Sequence, residues 1–194
     1  SHNAISWHKK NIRKLKKLYP NKLILVDIPG IKPRTLNKIP IYIKKGEKIS
    51  FSNKTAKENT IKLSNPLPKI KKNSKNFFLS DGMFEFKSLE INRNVITGVS
   101  QQNFTLKPRK GLNIPFSTYD DLKQEKLYLK YIKTVLKLNV DCVGLSFIQS
   151  SKIIKKLKKK YPNLIYISKI ENFHGYLNRE EIIKHSDAVM IDRG

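Results

Sequence analysis

The sequence is poor in the residues that build several common kinds of protein. It contains a single cysteine, Cys142, so a disulfide framework and a cysteine-based metal site are both excluded. We expect this cysteine to be a small core residue in a reducing compartment. No apolar run approaches the ~20 residues needed to cross a membrane, and no signal peptide is visible. These absences predict no membrane partner and a cytoplasmic location by default, with a plastid or another organelle left open if a longer N-terminus carries a targeting segment.

Acidic residues are also scarce. The chain has 15 Asp and Glu residues against 40 Lys and Arg residues, which gives a formal net charge of +25. A balance this basic is typical of nucleic-acid-binding proteins. However, the cations are spread along the whole chain, and Lys, Asn and Ile, which AT-rich codons encode, are abundant together. Genome bias explains all three residue types, so we do not expect nucleic acid as a partner.

Two stretches of the 194-residue chain nearly copy each other. Residues 15–30 read LKKLYPNKLILVDIPG, and residues 157–172 read LKKKYPNLIYISKIEN. Each stretch contains the end of a Lys-rich helix, a stop at Tyr-Pro-Asn, an apolar strand and then polar residues. The stop is expected because Pro20 and Pro162 cannot continue a helix. Two further helices, at about 120–138 and 178–186, lead into apolar strands at 140–148 and 188–192.

The predicted strands are continuously apolar, so both of their faces should be covered. Alternation of helices with such strands is typical of an α/β protein whose parallel sheet is open or closed into a barrel. Residues 35–112 interrupt this rhythm with short, partly alternating runs separated by Gly, Asn, Ser and Pro, which predicts an inserted small antiparallel all-β domain. The predicted domains are therefore 1–34 and 113–194, which form the α/β part, and 35–112, which forms the insert.

Polar residues stand where the apolar strands end. Asp27 ends the first strand, Ser146 lies near the end of the second, Lys169 and Glu171 end the third, and Arg193 ends the fourth. Sites of parallel α/β proteins gather at this carboxyl edge. Residues i and i+2 of a strand share a face, so Lys169 and Glu171 should project the same way. Such a pair is either an ion pair that closes the edge or part of an active site, and the spacing leaves both open.

Several segments, taken in order, resemble the pyruvate kinase family. They are SHNAISWHKKNI, LVDIPGIKPRT, LSDGMFEF, PRKGLNIP, VGLSFIQ, ISKIEN followed by a glycine, and SDAVMIDRG. The resemblance covers nearly the whole chain. It implies a (β/α)8 TIM barrel with a small β-barrel lid domain inserted, of which this chain would be the middle portion. We therefore expect these residues to be part of a longer protein.

The resemblance implies roles for residues at the carboxyl edge. Lys169 would stabilise the enolate and the transferring phosphoryl group, and Glu171 would bind a divalent metal, Mg²⁺ or Mn²⁺. Asp27 and Ser1, with the backbone carbonyl of Ile28, match a K⁺ site. Catalysis of phosphoryl transfer rests on positioned cations around developing negative charge, which agrees with these roles.

The resemblance also implies which residues contact substrates. His2, Arg34 and Lys110 match residues that contact the nucleotide, Asp81 matches an aspartate of the lid, and Gly194 would offer its amide to the substrate carboxylate. The implied activity is the glycolytic transfer of a phosphoryl group from phosphoenolpyruvate to ADP, giving pyruvate and ATP. The implied assembly is a homo-oligomer, a tetramer, when the protein is full length. Because a second metal-binding aspartate would follow Gly194, we expect the isolated 194 residues to be inactive.

Three positions depart from the family pattern. Ile28 stands in place of a threonine of which only the backbone carbonyl is needed, and Pro29 stands in place of a lysine near the nucleotide. Asp192 replaces a small residue beside the substrate pocket. An anion there should either repel an anionic substrate or turn outward to pair with a lysine.

Two other interpretations stay open. Another barrel enzyme that uses phosphoenolpyruvate or pyruvate, such as a metal-dependent aldolase, would share the barrel, but the β insert and the segment PRKGLNIP favour the kinase. A divergent relative with weakened catalysis, kept for binding or regulation, would explain Pro29 and Asp192. Salt-dependent association with nucleic acid would favour that relative.

Overall fold

The structure is a computed structural model that describes residues 4–54, 59–70, 74–92 and 94–191. These residues form two compact units. The first comprises the described residues up to Gly30, Asp121–Glu171 and the described residues from Gly175 onward, and the second comprises the described part of Ile31–Asp120 with Asn172–His174. The elements in chain order are α1 (Ile5–Leu18), β1 (Leu25–Ile28), β2 (Ile41–Ile43), β3 (Lys48–Ser52), β4 (Thr60–Lys62), β5 (Asn76–Leu79), β6 (Phe84–Ile91), β7 (Val95–Ser100), β8 (Phe104–Leu106), β9 (Leu112–Asn113), α2 (Asp121–Leu136), β10 (Cys142–Leu145), α3 (Ser151–Lys160), β11 (Ile165–Ile170), α4 (Phe173–Leu177), α5 (Arg179–His185) and β12 (Ala188–Ile191).

The first unit is built on a parallel sheet, as the sequence predicts. Its four strands lie in the order β1, β10, β11, β12. Asp27 lies opposite Gly144, Gly144 lies opposite Ile167, and Lys169 lies opposite Met190. Helices α1, α2 and α3 precede β1, β10 and β11, so the predicted α/β class is confirmed. Because the strands are parallel, all of their carboxyl ends lie at one edge of the sheet.

Helix α3 shows why the Lys-rich segments are helical. Ile153, Ile154 and Leu157 are buried on one face, and the lysines between them are exposed or half-buried. The side chain of Ser150 caps the start of the helix. At its end the amide of Tyr161 donates to the carbonyl of Leu157 at 2.8 Å, just before the proline that stops it. Across the described ranges, no helix is long and apolar enough to cross a membrane.

The sequence repeat reappears as a repeated contact. In each repeat, one aspartate contacts both the end of the helix and the start of the strand. This aspartate lies just before the neighbouring strand of the sheet. Each carboxylate accepts hydrogen bonds from one amide and one ammonium: Asp141 from Ile24 N (3.1 Å) and Lys16 Nζ (2.7 Å), and Asp187 from Tyr166 N (2.8 Å) and Lys158 Nζ (2.6 Å). Lys158 and Tyr166 occupy the positions in the second repeat that Lys16 and Ile24 occupy in the first. The two copies of the repeat therefore make equivalent hydrogen bonds to an aspartate beside the sheet.

The second unit contains β2 to β9 and so has the all-β character that residues 35–112 predict. Six strands lie in the order β4, β3, β7, β6, β5, β9, and β2 pairs with β8. The neighbours are antiparallel except β3 and β4, which are parallel. Phe51, Phe77 and Phe86 are fully buried and meet with ring centroids 5.0 to 5.6 Å apart. The predicted domain boundaries, after residues 34 and 112, both lie inside this unit and stay predictions.

Two strand expectations are wrong in detail. The strand predicted over 140–148 ends at Leu145, because Phe147 adopts a φ of 62°, which an extended strand cannot contain. The sequence predicts that both faces of every strand are covered. This holds for β10, whose four residues are buried, but all four residues of β12 are exposed. In the described part of the sheet β12 is an outer strand and has a neighbouring strand on one side.

Candidate active site

Two strands of the parallel sheet, β1 and β11, bring a lysine and two carboxylates together at the carboxyl edge of the first unit. The Lys169 ammonium lies 3.0 Å from Asp27 Oδ2 and 3.6 Å from Glu171 Oε1. Lys169 comes from β11 and Asp27 from β1, with β10 between them. The residue opposite Asp27 on β10 is Gly144. The side chains of Lys169 and Glu171 are both only 6% exposed, whereas that of Asp27 is half-exposed.

The Ser146 side chain and the peptide that joins Ser146 to Phe147 each hold one of the two carboxylates. The Ser146 hydroxyl donates to Asp27 Oδ1 at 2.9 Å, and the Phe147 amide donates to Glu171 Oε2 at 2.8 Å. The carbonyl of Ser146 faces the protein interior. It accepts hydrogen bonds from Tyr128 Oη at 2.6 Å and Gln124 Nε2 at 2.9 Å. Each carboxylate therefore has a fixed position relative to the lysine.

A close approach of backbone to backbone supports this peptide. A Cβ atom added to Gly30 would lie 2.9 Å from the carbonyl oxygen of Ser146 and 2.9 Å from Phe147 Cβ. Such distances are shorter than van der Waals contact, so a residue with a side chain does not fit at position 30 without a shift. Gly30 thus belongs to the site through its lack of a side chain.

Tyr128 keeps its proton in this environment. Burial raises its pKa above the ordinary range, although the hydrogen bond with Gln124 acts in the opposite direction. The negative charges of Glu171, Asp121 and Asp27 raise the pKa further. The hydroxyl is therefore a permanent hydrogen-bond donor to the Ser146 carbonyl at any physiological pH.

The sequence alone did not identify every part of this site. Lys169, Glu171 and Asp27 were candidates because they end strands, and Ser146 was noted for the same reason. Tyr128 and Gln124 were missed, as was the Phe147 amide. Gln124 and Tyr128 are spaced i, i+4, which places both side chains on one face of α2. This spacing does not indicate that Tyr128 binds a carbonyl 18 residues further along the chain.

The carboxylates suit a hard cation. One ammonium against two carboxylates leaves a formal excess of one negative charge at this edge. Within the described ranges, no group of three or more His, Cys, Asp or Glu side chains gathers as an all-protein metal cage. Mg²⁺ commonly takes one or two carboxylates and completes its shell with water and substrate oxygens, so Glu171 fits that ion. For K⁺, the described residues offer the Asp27 carboxylate and the Ile28 carbonyl, which already accepts the amide of Ser146 at 3.2 Å.

The other predicted site residues either lie in the second unit or fall outside the residues that the structure describes. The amide of Thr35 donates to the carbonyl of Lys110 at 2.8 Å, and the Arg34 guanidinium donates to the carbonyl of Arg109 at 3.3 Å, so Arg34 and Lys110 lie on adjacent segments. Asp81, with a φ of 58°, lies 3.1 Å from the ammonium of a buried lysine, which sequence reasoning also missed. This lysine is Lys32, and its side chain lies against Gly111. The predicted residues outside the described ranges are Ser1, His2, Asp192, Arg193 and Gly194.

Comparisons with known proteins give one consistent result. A sequence model of the family described as "Pyruvate kinase, barrel domain" matches residues 1–194. Pyruvate kinase of Thermococcus litoralis is 30% identical over 100% of this chain and 44% of its own length, and that of Thermotoga maritima is 29% identical with the same coverage. A crystal structure of Cryptosporidium parvum pyruvate kinase matches all of this chain and 45% of its own, with a TM-score of 0.77 and 26% identity.

The chain thus spans less than half the length of the curated relatives it matches. Its four-stranded parallel sheet is what part of a barrel would contain. The family match covers every residue, and relatives and a solved structure of the same name cover the chain from end to end. The chain belongs to the pyruvate kinase family.

Proposed function

We propose that the full-length protein transfers the phosphoryl group of phosphoenolpyruvate to ADP, giving pyruvate and ATP in glycolysis. The observation that carries this proposal is the buried Lys169 ammonium held between Asp27 and Glu171. In the reaction the bond between phosphorus and the enol oxygen breaks, a bond forms to the terminal phosphate oxygen of ADP, and the enolate takes up a proton. Negative charge grows on the enolate oxygen as the first bond breaks.

Lys169 is suited to stabilise that charge. Its ammonium is pre-positioned by two carboxylates and is largely withheld from water, so it needs little reorganisation when charge develops. Glu171 would hold Mg²⁺ or Mn²⁺, and Asp27, Ser1 and the Ile28 carbonyl would hold K⁺. A bound divalent ion would supply positive charge for the phosphoryl oxygens. His2, Arg34 and Lys110 would contact the nucleotide, Asp81 would act from the lid, and the amide of Gly194 would bind the substrate carboxylate.

The proposal extends to assembly and location. By its resemblance to the family, the full-length protein would form a homotetramer. We also propose a cytoplasmic location by default, with an organelle as the alternative where a targeting segment is present. Neither proposal depends on the geometry at Lys169.

The test is the formation of pyruvate by the full-length protein from phosphoenolpyruvate and ADP with Mg²⁺ and K⁺, measured in a coupled assay. Lys169→Met should lower kcat by about 100-fold to 1,000-fold. This is the loss typical of removing a group that stabilises developing negative charge. Lys156→Met is the matched control, because its ammonium pairs with Glu125 at 2.8 Å on the surface of the helices. This variant should keep the activity of the unmodified protein.

Two results would contradict the proposal. If Lys169→Met retains normal kcat, the lysine does not have the role given to it. If the unmodified protein forms no pyruvate, the kinase function is wrong, and a relative kept for binding or regulation becomes the better interpretation.

A further inference from the structure

A single peptide connects the buried face of helix α2 to Glu171, the candidate metal ligand. The amide of Phe147 donates to Glu171 Oε2 at 2.8 Å, and the carbonyl of the same peptide, on Ser146, accepts from Tyr128 Oη at 2.6 Å and Gln124 Nε2 at 2.9 Å. The oxygen and the hydrogen of a trans peptide point in opposite directions. Donors that hold the carbonyl therefore also set the direction of the N–H.

This peptide needs to be held. Phe147 has a φ of 62°, a left-handed conformation that is unfavourable for a residue with a large side chain. Such conformations persist where surrounding contacts over-determine them, and they cluster at functional sites. Tyr128 is fully buried and Gln124 is 1% exposed, and the two lie one helical turn apart on α2. Two buried donors on one oxygen are the contacts that would hold the peptide in place.

The same contacts strengthen the hydrogen bond to Glu171. A peptide whose carbonyl accepts hydrogen bonds is polarised, so its N–H becomes a better donor. Tyr128 donates permanently because burial raises its pKa far above neutral. In addition, the Ser146 hydroxyl donates to Asp27 at 2.9 Å, so a shift of this peptide would disturb both carboxylates that face Lys169.

We infer that Tyr128, together with Gln124, is a positioning residue for Glu171. It acts through the peptide between Ser146 and Phe147 and contacts neither the metal nor the substrate. The inference rests on the proposed role of Glu171 as the ligand of a divalent cation. Outer contacts of this kind orient the ligating group and contribute to the affinity for the metal.

The test uses Tyr128→Phe in the full-length protein and measures the binding of Mn²⁺ alone, from the electron paramagnetic resonance signal of the free ion. The dissociation constant should rise by about 10-fold to 100-fold, the usual effect of losing an outer-shell partner. In steady-state kinetics the same variant should need more Mg²⁺ for half-maximal rate, and saturating Mg²⁺ should restore most of kcat.

Tyr166→Phe is the matched control. Tyr166 is also fully buried, and its hydroxyl also donates to backbone carbonyls, those of Leu157 at 3.0 Å and Tyr161 at 2.9 Å, at the end of α3. Each variant removes one buried hydroxyl from the same unit. A general loss of stability should therefore affect both alike, whereas positioning of Glu171 should change the Mn²⁺ affinity only in Tyr128→Phe.

Three results would overturn the inference: Tyr128→Phe binds Mn²⁺ as tightly as the unmodified protein, both tyrosine variants lose affinity equally, or the unmodified protein binds no Mn²⁺. If Tyr128→Phe does not fold, Gln124→Met removes the second donor at nearly constant volume and should raise the dissociation constant in the same direction; an unchanged constant would overturn the inference too. Weakened Mn²⁺ binding in a protein that forms no pyruvate would leave the positioning role intact and remove the proposed reaction.

Discussion

At the scale of the residue, the site depends on charges that are buried together. Lys169 and Glu171 are almost inaccessible to water, and each would be costly to bury alone. The lysine neutralises part of the charge of two carboxylates, and the Ser146 hydroxyl and the Phe147 amide supply hydrogen bonds that water would otherwise provide. Removing one member of such a group is far more damaging than its net contribution suggests, because the partners stay buried.

Gly30 gives a test of this arrangement that does not require the reaction. Gly30→Ala would place a methyl group 2.9 Å from the Ser146 carbonyl oxygen and from Phe147 Cβ. We expect the free energy of unfolding to fall by about 1–3 kcal/mol, as for other cases of overpacking. Urea unfolding followed by circular dichroism would measure it.

Gly144→Ala is the matched control for that measurement. Its added Cβ would have Asp27 Oδ1 as the nearest atom, at 3.4 Å, an ordinary contact distance. This substitution should cost less than about 1 kcal/mol. Equal losses for the two alanine variants would show that the close approach at Gly30 does not matter.

At the scale of the element, the repeated stretches are held by Asp141 and Asp187. The hydrogen bond from Lys16 lowers the pKa of Asp141, and burial only partly opposes it. For Asp187 burial raises the pKa, but the hydrogen bonds from Lys158 and from the amide of Tyr166 together outweigh it, so the pKa is lowered. Both aspartates therefore favour the folded state in their charged form.

These shifts predict how stability depends on pH. Because the folded-state pKa of each aspartate lies below its unfolded value, the stabilisation is complete above about pH 4 and is lost as the pH falls through the folded-state pKa. Asp141→Asn and Asp187→Asn should each lower the free energy of unfolding by about 1 kcal/mol at neutral pH. In each variant the free energy of unfolding should also fall less steeply as the pH is lowered. Urea unfolding at a series of pH values would measure this.

Glu180→Gln provides the comparison. Its side chain is 88% exposed and lies 3.5 Å from the Arg179 guanidinium, so its charge should matter little. This variant should follow the unmodified protein at every pH. An acid profile that is unchanged in the two asparagine variants would contradict the role assigned to the repeated contact.

At the scale of the whole molecule, the chain has a large excess of positive charge. The 194 residues carry a formal net charge of +25, while the described ion pairs use only part of the lysines. Like charges spread over a surface repel one another and favour the expanded, unfolded chain. The charge is consistent with genome bias, and it has a physical consequence whatever its origin.

Added salt should therefore stabilise the folded 194-residue chain. Raising NaCl from about 0.05 M to about 0.5 M shortens the range of electrostatic repulsion severalfold, so the melting temperature should rise. Calorimetry in NaCl and in Na₂SO₄ at equal ionic strength separates general screening, which is the same in both, from effects specific to one anion. A melting temperature that is constant or falls with NaCl would show that repulsion does not limit stability.

The sequence by itself determined the class of the fold and the main residues at the carboxyl edge. Pro20 and Pro162 end two helices, continuously apolar strands follow, and parallel strands must place Asp27, Ser146 and Lys169 at one edge, so local patterns were sufficient. Alternating short runs likewise indicated the β-rich insert. The roles given to these residues in catalysis and binding stay predictions.

Only the tertiary structure decided what holds the site in place. The left-handed backbone at Phe147, the hydrogen bonds from Tyr128 and Gln124, and the parallel pairing of β3 with β4 have no local signal. Each depends on which distant segments pack together: a helix face meets a carbonyl 18 or 22 residues away, and a turn forms against a glycine more than 100 positions earlier in the chain. Local propensity describes single elements, whereas the position of a peptide between two carboxylates and the buried face of a helix follows from packing among them.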